Sequence, residues 1–373
     1  MTGTQSKLNV DKSTTNVERP PSMLAAVLYG KEDVRVERVP LPDVGHGEVR
    51  IRIAAALTCG TDVKVFRRGY HAHMLRPPVR FGHELAGVID EVGAGVKQWK
   101  PGDRVVPANS APCGQCFFCM RNRPELCEYL LFMNGAYAEY ITVPARIVEK
   151  NLLRIPDGVP FEAAAMAEPL ACVVYGLHDA PVTAGETVIV LGLGPIGLMF
   201  VRLCHLAGAR VVAAGRRAER LKLAARLGAE EVFDESATPN LADVLLECTE
   251  GGRGADAVVE CVGRPEAWEM AIRLARKAGR VSLFGGCPAD TSIRVDTHRI
   301  HYDELTLQGT FHHTPTTFRR ALELIANGDV PAGDFVQRHA TLQDVPSVLA
   351  DLARGSGAVK TAILPSAEAV SAP

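Results

Sequence analysis

Cysteines at 113, 116, 119 and 127, in the run Cys-Gly-Gln-Cys-Phe-Phe-Cys-Met-Arg-Asn-Arg-Pro-Glu-Leu-Cys, are separated by two, two and seven residues. Thiols this close along a chain cannot all pair as unstrained disulfides, which need matched Cβ vectors and Cα atoms about 4.4–6.8 Å apart. As thiolates they can converge tetrahedrally on one Zn²⁺ at Zn–S distances of about 2.3 Å. All four positions of that ion are then filled. Such a zinc is structural, and it directs attention to a second, open metal site elsewhere in the chain.

A chain of 373 residues is too long for one ordinary core, and about 150 residues per domain gives two. Hydrophobic content of 47% with 23% charged residues is that of a soluble globular protein. The formal net charge of −2 provides no global field toward nucleic acid or anionic membrane. No apolar run reaches the ~18 residues of a membrane span. Residues 1–22 are polar, lack the apolar centre of a secretory signal, and read as a disordered tail. Ten cysteines without an export signal fit a reducing compartment, the cytoplasm.

From residue 23 to about 143 the apolar runs are short, alternate in places (Val34, Val36, Val39; Val49, Ile51, Ile53) and are cut by Gly and Pro, the texture of irregular β structure. Between about 185 and 311 the texture changes. Buried strands are expected over 187–191, 210–214, 231–233, 255–261, 279–284 and 305–310, with helices over 195–206, 217–227, 241–247 and 265–275. Strand and helix in alternation require a parallel sheet covered on both faces, and about six strands make a doubly wound α/β dinucleotide fold. The chain beyond 311, with helices near 317–326 and 342–352, is expected to return to the first domain.

Gly192-Leu193-Gly194-Pro195-Ile196-Gly197 lies between a strand and a helix, the context a dinucleotide fingerprint needs. Glycine lets the backbone approach a pyrophosphate, and the helix N-terminus meets its charge. After the next strand, where an NAD site usually carries an acid for the ribose 2′-hydroxyl, come Gly215, Arg216, Arg217 and Arg220. Guanidinium groups there would grip a 2′-phosphate, so NADP is the expected cofactor, with NAD the alternative. Arginines on the first turn of a solvated helix are the other reading of the same residues.

Cys59-Gly60-Thr61-Asp62, Gly82-His83-Glu84 and Glu168-Pro169-Leu170 are individually weak signals. Together they supply the thiolate, imidazole and carboxylates of an open zinc site, in which one position stays free for substrate or water.

With CGTD at Cys59, GHE at His83, GDRV at Gly102, the four-cysteine lobe, EPL at Glu168 and GLGPIG at Gly192, the sequence resembles the zinc-containing medium-chain dehydrogenase/reductase family, nearest its polyol and threonine dehydrogenase branch. The likeness spans nearly the whole chain after the tail. It implies a β-rich GroES-like catalytic domain over 23–174 and 311–373 and a Rossmann domain over 175–310. It also implies two zincs per subunit and a homodimer or homotetramer. Cys59, His83 and a glutamate would hold the catalytic zinc, with Glu168 in the resting shell and Glu84 as alternate ligand. Thr61 matches the family hydroxyl that relays the alcohol proton. Lys64 stands where the family often has the next histidine of that relay, and His71 or His73 are possible substitutes. Val262, Phe284 and Phe311 are implied cofactor contacts, and His312 or His313 would reach a substrate hydroxyl.

The implied reaction is reversible oxidation of a secondary alcohol of a polyol or sugar-like substrate. Lys64, Arg67, Arg68, His71, His73, Arg76 and Arg80, with no acid among residues 64–80, suggest an anionic substrate, although a solvated rim gives the same pattern. The rivals are a threonine-type or amino-polyol dehydrogenase, a zinc-knuckle module binding nucleic acid or protein, and a nucleotide-binding redox sensor without turnover.

Overall fold

The computed structural model describes residues 20–71 and 75–365. Most of the expected N-terminal tail lies outside these residues, but Ser22 does not belong to a tail. It opens the strand Ser22–Gly30 and pairs with Pro40 of the strand Asp33–Pro40. The polar context of Ser22 hid this, because a strand's first residue, only half-buried, need not be apolar.

The six-stranded parallel sheet has the spatial order Ala229–Asp234, Arg210–Gly215, Thr187–Leu191, Ala255–Glu260, Ala275–Leu283, Thr306–Gly309. The chain starts centrally, builds outward on one side, then crosses and builds on the other. The crevice of a doubly wound sheet lies where that direction reverses, at the carboxyl end of Thr187–Leu191. Val188, Ile189 and Val190 are wholly buried, so this strand reads as a continuous apolar run rather than an alternating one. The helices Pro195–Leu206, Ala218–Arg226, Leu241–Glu247 and Pro265–Leu274 follow the expected spans to within a few residues. A further helix, Thr297–Tyr302, capped by Asp296 accepting from the His298 amide, was not expected from the sequence, its single turn and a half being too short for a periodic signal.

The other large sheet has the order Leu152–Arg154, Arg104–Pro107, Glu84–Val92, Val49–Leu57, Lys360–Ile363, Val336–Ala340. Its closure depends on the far end of the chain, where Ala362 and Ile363 pair antiparallel with Leu57 and Ala56. Strand Glu84–Val92 lies on the other side of Val49–Leu57, with Glu84 opposite Leu57. Residues 57–60, 83–84 and 360 therefore meet at one end of three adjacent strands. Helix Ala167–Asp179 packs against Pro315–Ala326 and against Pro195–Leu206, and so brings Glu168 to the boundary between the two sheets.

Candidate active site

Cys59 precedes the helix Gly60–Arg68, and its own amide is satisfied by Asp62 Oδ2 at 3.1 Å. Asp62 is buried and does more than cap. Its Oδ1 lies 3.0 Å from His83 Nδ1, while Oδ2 accepts the Tyr137 hydroxyl at 2.5 Å. A carboxylate holding one imidazole nitrogen leaves the other turned toward a metal, the usual support of a metal-bound histidine. Burial alone would lower the His83 pKa, but Asp62 and Cys59 outweigh it and raise it well above the ordinary range.

The ligand atoms of Cys59, His83 and Glu84 lie within 4.8 Å of one another. Glu84 is fully buried, and its Oε2 accepts from Lys360 Nζ at 2.5 Å. Lys360 is itself only 1% exposed and donates also to the Thr58 carbonyl at 3.0 Å. Glu84 Oε1, by contrast, is buried without a hydrogen-bond partner among the described residues. Burial raises the Glu84 carboxyl, with Lys360 opposing; burial and Glu84 raise the Cys59 thiol; and burial pushes Glu168 up to about 7. A divalent cation removes the conflict among these buried acids and gives the orphaned oxygen a partner. The donor set of sulfur, imidazole nitrogen and carboxylate fits Zn²⁺.

Glu168 belongs, by the same 4.8 Å criterion, to a neighbouring group with Cys172 and His312. Its Oε1 is 3.8 Å from His313 Nε2, too far for a hydrogen bond. His312 reaches Ser110 Oγ at 2.6 Å and lines the cleft. His313 is 2% exposed, lies 3.1 Å from Asn109 Oδ1, and is not among the lining residues. Burial, followed by neighbouring histidine charge, keeps His312 well below the ordinary imidazole range.

One cleft of about 620 Å³ is lined by Cys59, Thr61, His83, Glu84 and Glu168 together with Gly194, Pro195, Ile196, Arg217, Arg220, Val262, Phe284 and Phe311. A neighbouring cavity of about 230 Å³ is lined by Leu191, Gly192, Val262, Glu235 and Met270. Gly192 has φ +93°, and a Cβ at Gly197 would stand 1.8 Å from the Gly192 carbonyl oxygen. The turn from strand to helix therefore requires glycine at both positions. Gly215 lies against Leu193 below the loop.

The three arginines diverge. Arg216 makes a two-pronged pair with Glu235, at 3.0 and 2.9 Å, and does not line the large cleft. Arg217, with φ +76°, donates to the Gly355 carbonyl. Arg220 is half-buried with no hydrogen-bond or ion-pair partner for its guanidinium among the described residues, and burial, with Arg217, lowers it to about 10. Of the basic residues 64–80, Lys64 and His71 line the cleft, whereas Arg67, Arg68 and Arg76 are exposed away from it. Lys64 Nζ is 3.4 Å from the Gly286 carbonyl. His73 lies outside the described residues.

In the lobe all four sulfurs lie within 4.8 Å of one another, with Cys113–Cys119 at 3.9 Å and Cys116–Cys127 at 3.8 Å. Those separations match the edge, about 3.8 Å, of a tetrahedron with Zn–S bonds of about 2.3 Å. Backbone amides of Gln115 and Cys116 point at Cys113 Sγ, and those of Cys113 and Tyr129 at Cys127 Sγ, as thiolate charge requires.

Sequence reasoning missed Asp62, Tyr137 and Lys360. Asp62 stood in plain view inside CGTD. Lys360 had one available signal, a lone lysine amid the apolar run Ala358-Val359-Lys360-Thr361-Ala362-Ile363.

Residues 45–157 match the model of the alcohol dehydrogenase GroES-like domain, and residues 195–327 that of zinc-binding dehydrogenases. L-threonine 3-dehydrogenase of Pyrococcus furiosus is 35% identical over 80% of this chain and 85% of its own. Sorbitol dehydrogenase of Bacillus subtilis is 28% identical over 88% and 93%. A zinc-binding dehydrogenase structure from Sinorhizobium meliloti, bound to NADP, superposes with a TM-score of 0.85 at 32% identity, covering 92% of this chain and 99% of that one. No helix among the described residues is long and apolar enough to cross a membrane. The chain is an oxidoreductase and belongs to the zinc-containing medium-chain dehydrogenase/reductase family, in its polyol and threonine dehydrogenase branch.

Proposed function

We propose that this enzyme reversibly oxidises a secondary alcohol of a polyol or sugar-like substrate to a ketone, with NADP⁺ favoured as hydride acceptor. The observation that carries this reading is the single cleft that holds the Cys59, His83 and Glu84 donors beside the Gly194-Pro195-Ile196 turn. When bound there, Zn²⁺ supplies Lewis-acid polarisation of a substrate oxygen, and the nicotinamide supplies the hydride acceptor. Cys59, His83 and Glu84 Oε1 would hold the ion, with Glu84 grouped with the thiol and imidazole where the family resemblance put Glu168 first, and the lobe cysteines would hold the second. Asp62 fixes the His83 ring. Thr61 offers a hydroxyl that can accept the alcohol proton while passing its own to water in the cleft. Phe284, Val262 and Phe311 give the cofactor ring its apolar surround.

Asp62→Asn keeps the shape but weakens the hold on His83. It is expected to loosen the cleft zinc about 10- to 100-fold, read by competition with a chromophoric chelator.

The NADP preference rests on Arg217 and Arg220, since Arg216 neutralises Glu235 instead. A charge-assisted hydrogen bond is worth about 1.5–3 kcal/mol. Arg220→Ala is therefore expected to raise the KM for NADP⁺ by roughly 10- to 100-fold and to leave that for NAD⁺ nearly unchanged. A wild-type enzyme that turns over NAD⁺ more efficiently than NADP⁺ would remove the assignment.

The threonine-type reading is supported by the Pyrococcus furiosus relative. A panel of polyols, sugar phosphates and amino alcohols decides between them; exclusive use of amino alcohols would replace the polyol reading.

A further inference from the structure

We propose that the carboxylate of Glu260 is a positioning and charge-setting group for the cofactor, holding one wall of its pocket and favouring the cationic oxidised nicotinamide over the neutral reduced one. The inference rests on the nicotinamide reading above and extends it to a residue that lines neither cavity. Glu260 ends the strand Ala255–Glu260 and lies opposite Leu191 in the parallel sheet, at the point where the building direction reverses. It is 0% exposed. Its Oε1 accepts from the amides of Val262 at 2.6 Å and Gly263 at 2.9 Å, and so holds the turn whose Val262 faces both cavities. Its main-chain carbonyl accepts from the amides of Phe284 and Gly285 at 3.1 and 2.8 Å. Val262 and Phe284, both lining the large cleft, are thus fastened to one residue.

The space around the carboxylate is closed. A Cβ at Gly285 would stand 2.7 Å from Glu260 Oε2, and one at Gly263, where φ is +74°, would stand 2.6 Å from the Gly286 carbonyl oxygen. Holding the turn takes only one acceptor oxygen. The other, Oε2, is buried with no hydrogen-bond partner among the described residues. A purely structural role does not explain that cost, because glutamine would supply the same acceptor without a buried charge. Burial raises the Glu260 carboxyl, and the Gly263 and Val262 amides, the Trp268 indole N–H and Lys64 oppose the rise. Lys64 alone among these carries a full charge. It is exposed, it belongs to the helix Gly60–Arg68, and its Nζ lies 3.4 Å from the Gly286 carbonyl.

An oxidised nicotinamide carries a positive charge that reduction removes. A fixed anion behind the pocket wall therefore strengthens binding of the oxidised form relative to the reduced one, and Lys64 acts in the opposite sense. Phosphate, ribose and adenine contacts are common to both forms. The ratio of the two dissociation constants therefore isolates the effect of charge from any general loosening of the site.

Isothermal titration calorimetry of the zinc-loaded full chain with NADP⁺ and NADPH, and with NAD⁺ and NADH, gives that ratio without turnover. Glu260→Gln keeps an acceptor for the Val262 and Gly263 amides and removes the charge. It is expected to weaken the oxidised form relative to the reduced one by at least about threefold, the scale of one unit charge in a partly screened interior. Lys64→Met is expected to shift the ratio the other way. Circular dichroism and thermal melts verify folding. A ratio equal to that of wild type in folded Glu260→Gln overturns the proposal. Should Glu260→Gln unfold, Lys64→Met decides in its place, and a ratio that stays put or moves toward the reduced form overturns it. Wild type that binds none of the four nucleotides would instead remove the cofactor reading, and this inference with it.

Discussion

Cys59→Ser is expected to lower turnover by about 10³-fold or more, with zinc content falling by one equivalent while the lobe's remains. A thiolate is the softest of the three donors and the only one with full charge at the helix start. Lewis-acid stabilisation supplies several kcal/mol of barrier reduction, and each 1.36 kcal/mol is tenfold in rate. Serine is close to cysteine in size and keeps the backbone amide's bond to Asp62 Oδ2, so the fold is expected to survive the substitution. The measurements are steady-state kinetics with a responsive alcohol and elemental analysis of the same preparation. Turnover within tenfold of wild type would remove Cys59 from the reaction centre.

Lys360→Met is the second large effect, and it acts on stability. Lys360 is 1% exposed and Glu84 0%, so in protein freed of the cleft zinc the lysine's loss leaves a carboxylate buried without its counter-charge. Breaking one side of a buried pair costs about 3–5 kcal/mol, which lowers Tm by roughly 6–20 °C for domains of this size. The pH dependence follows from Glu84. Burial raises its folded pKa and the lysine opposes that rise, so without the lysine it moves higher still. A carboxyl raised on folding costs nothing below its unfolded pKa and destabilises as pH climbs through the folded value. The Tm deficit of Lys360→Met should therefore shrink on acidification and grow toward alkaline pH. Glu84→Gln added to Lys360→Met is expected to recover most of the loss. Thermal melts at several pH values check both.

What could be read from the chain alone followed the range over which each signal acts. The parallel sheet was legible because its strands, such as Thr187–Leu191, are buried on both faces and carry their signal locally. The lobe was legible because its ligands lie within 15 residues. The Asp62 support of His83 was not, although both residues stood in quoted motifs, because orientation through a shared hydrogen bond has no sequence period. Lys360 was beyond reach for a different reason. Its partner Glu84 is 276 residues away, and only the pairing of Ala362 with Leu57 brings the two strands together. Arg216 shows the opposite failure. A local run of arginines suggested one phosphate grip, yet Glu235, from the end of the next strand, takes Arg216 out of it. Ser22 was misplaced because backbone pairing with Pro40, not its side chain, makes it part of a strand.

The most direct test of the cleft metal as the source of reactivity is a reconstitution. Protein whose cleft zinc has been withdrawn by a mild chelator, with the lobe zinc retained, is assayed for reduction of NADP⁺ by an alcohol it oxidises, before and after one equivalent of Zn²⁺ is returned. The account predicts activity lost with the ion and restored on its return. Full oxidation by protein that analysis shows to hold zinc in the four-cysteine lobe alone would contradict it.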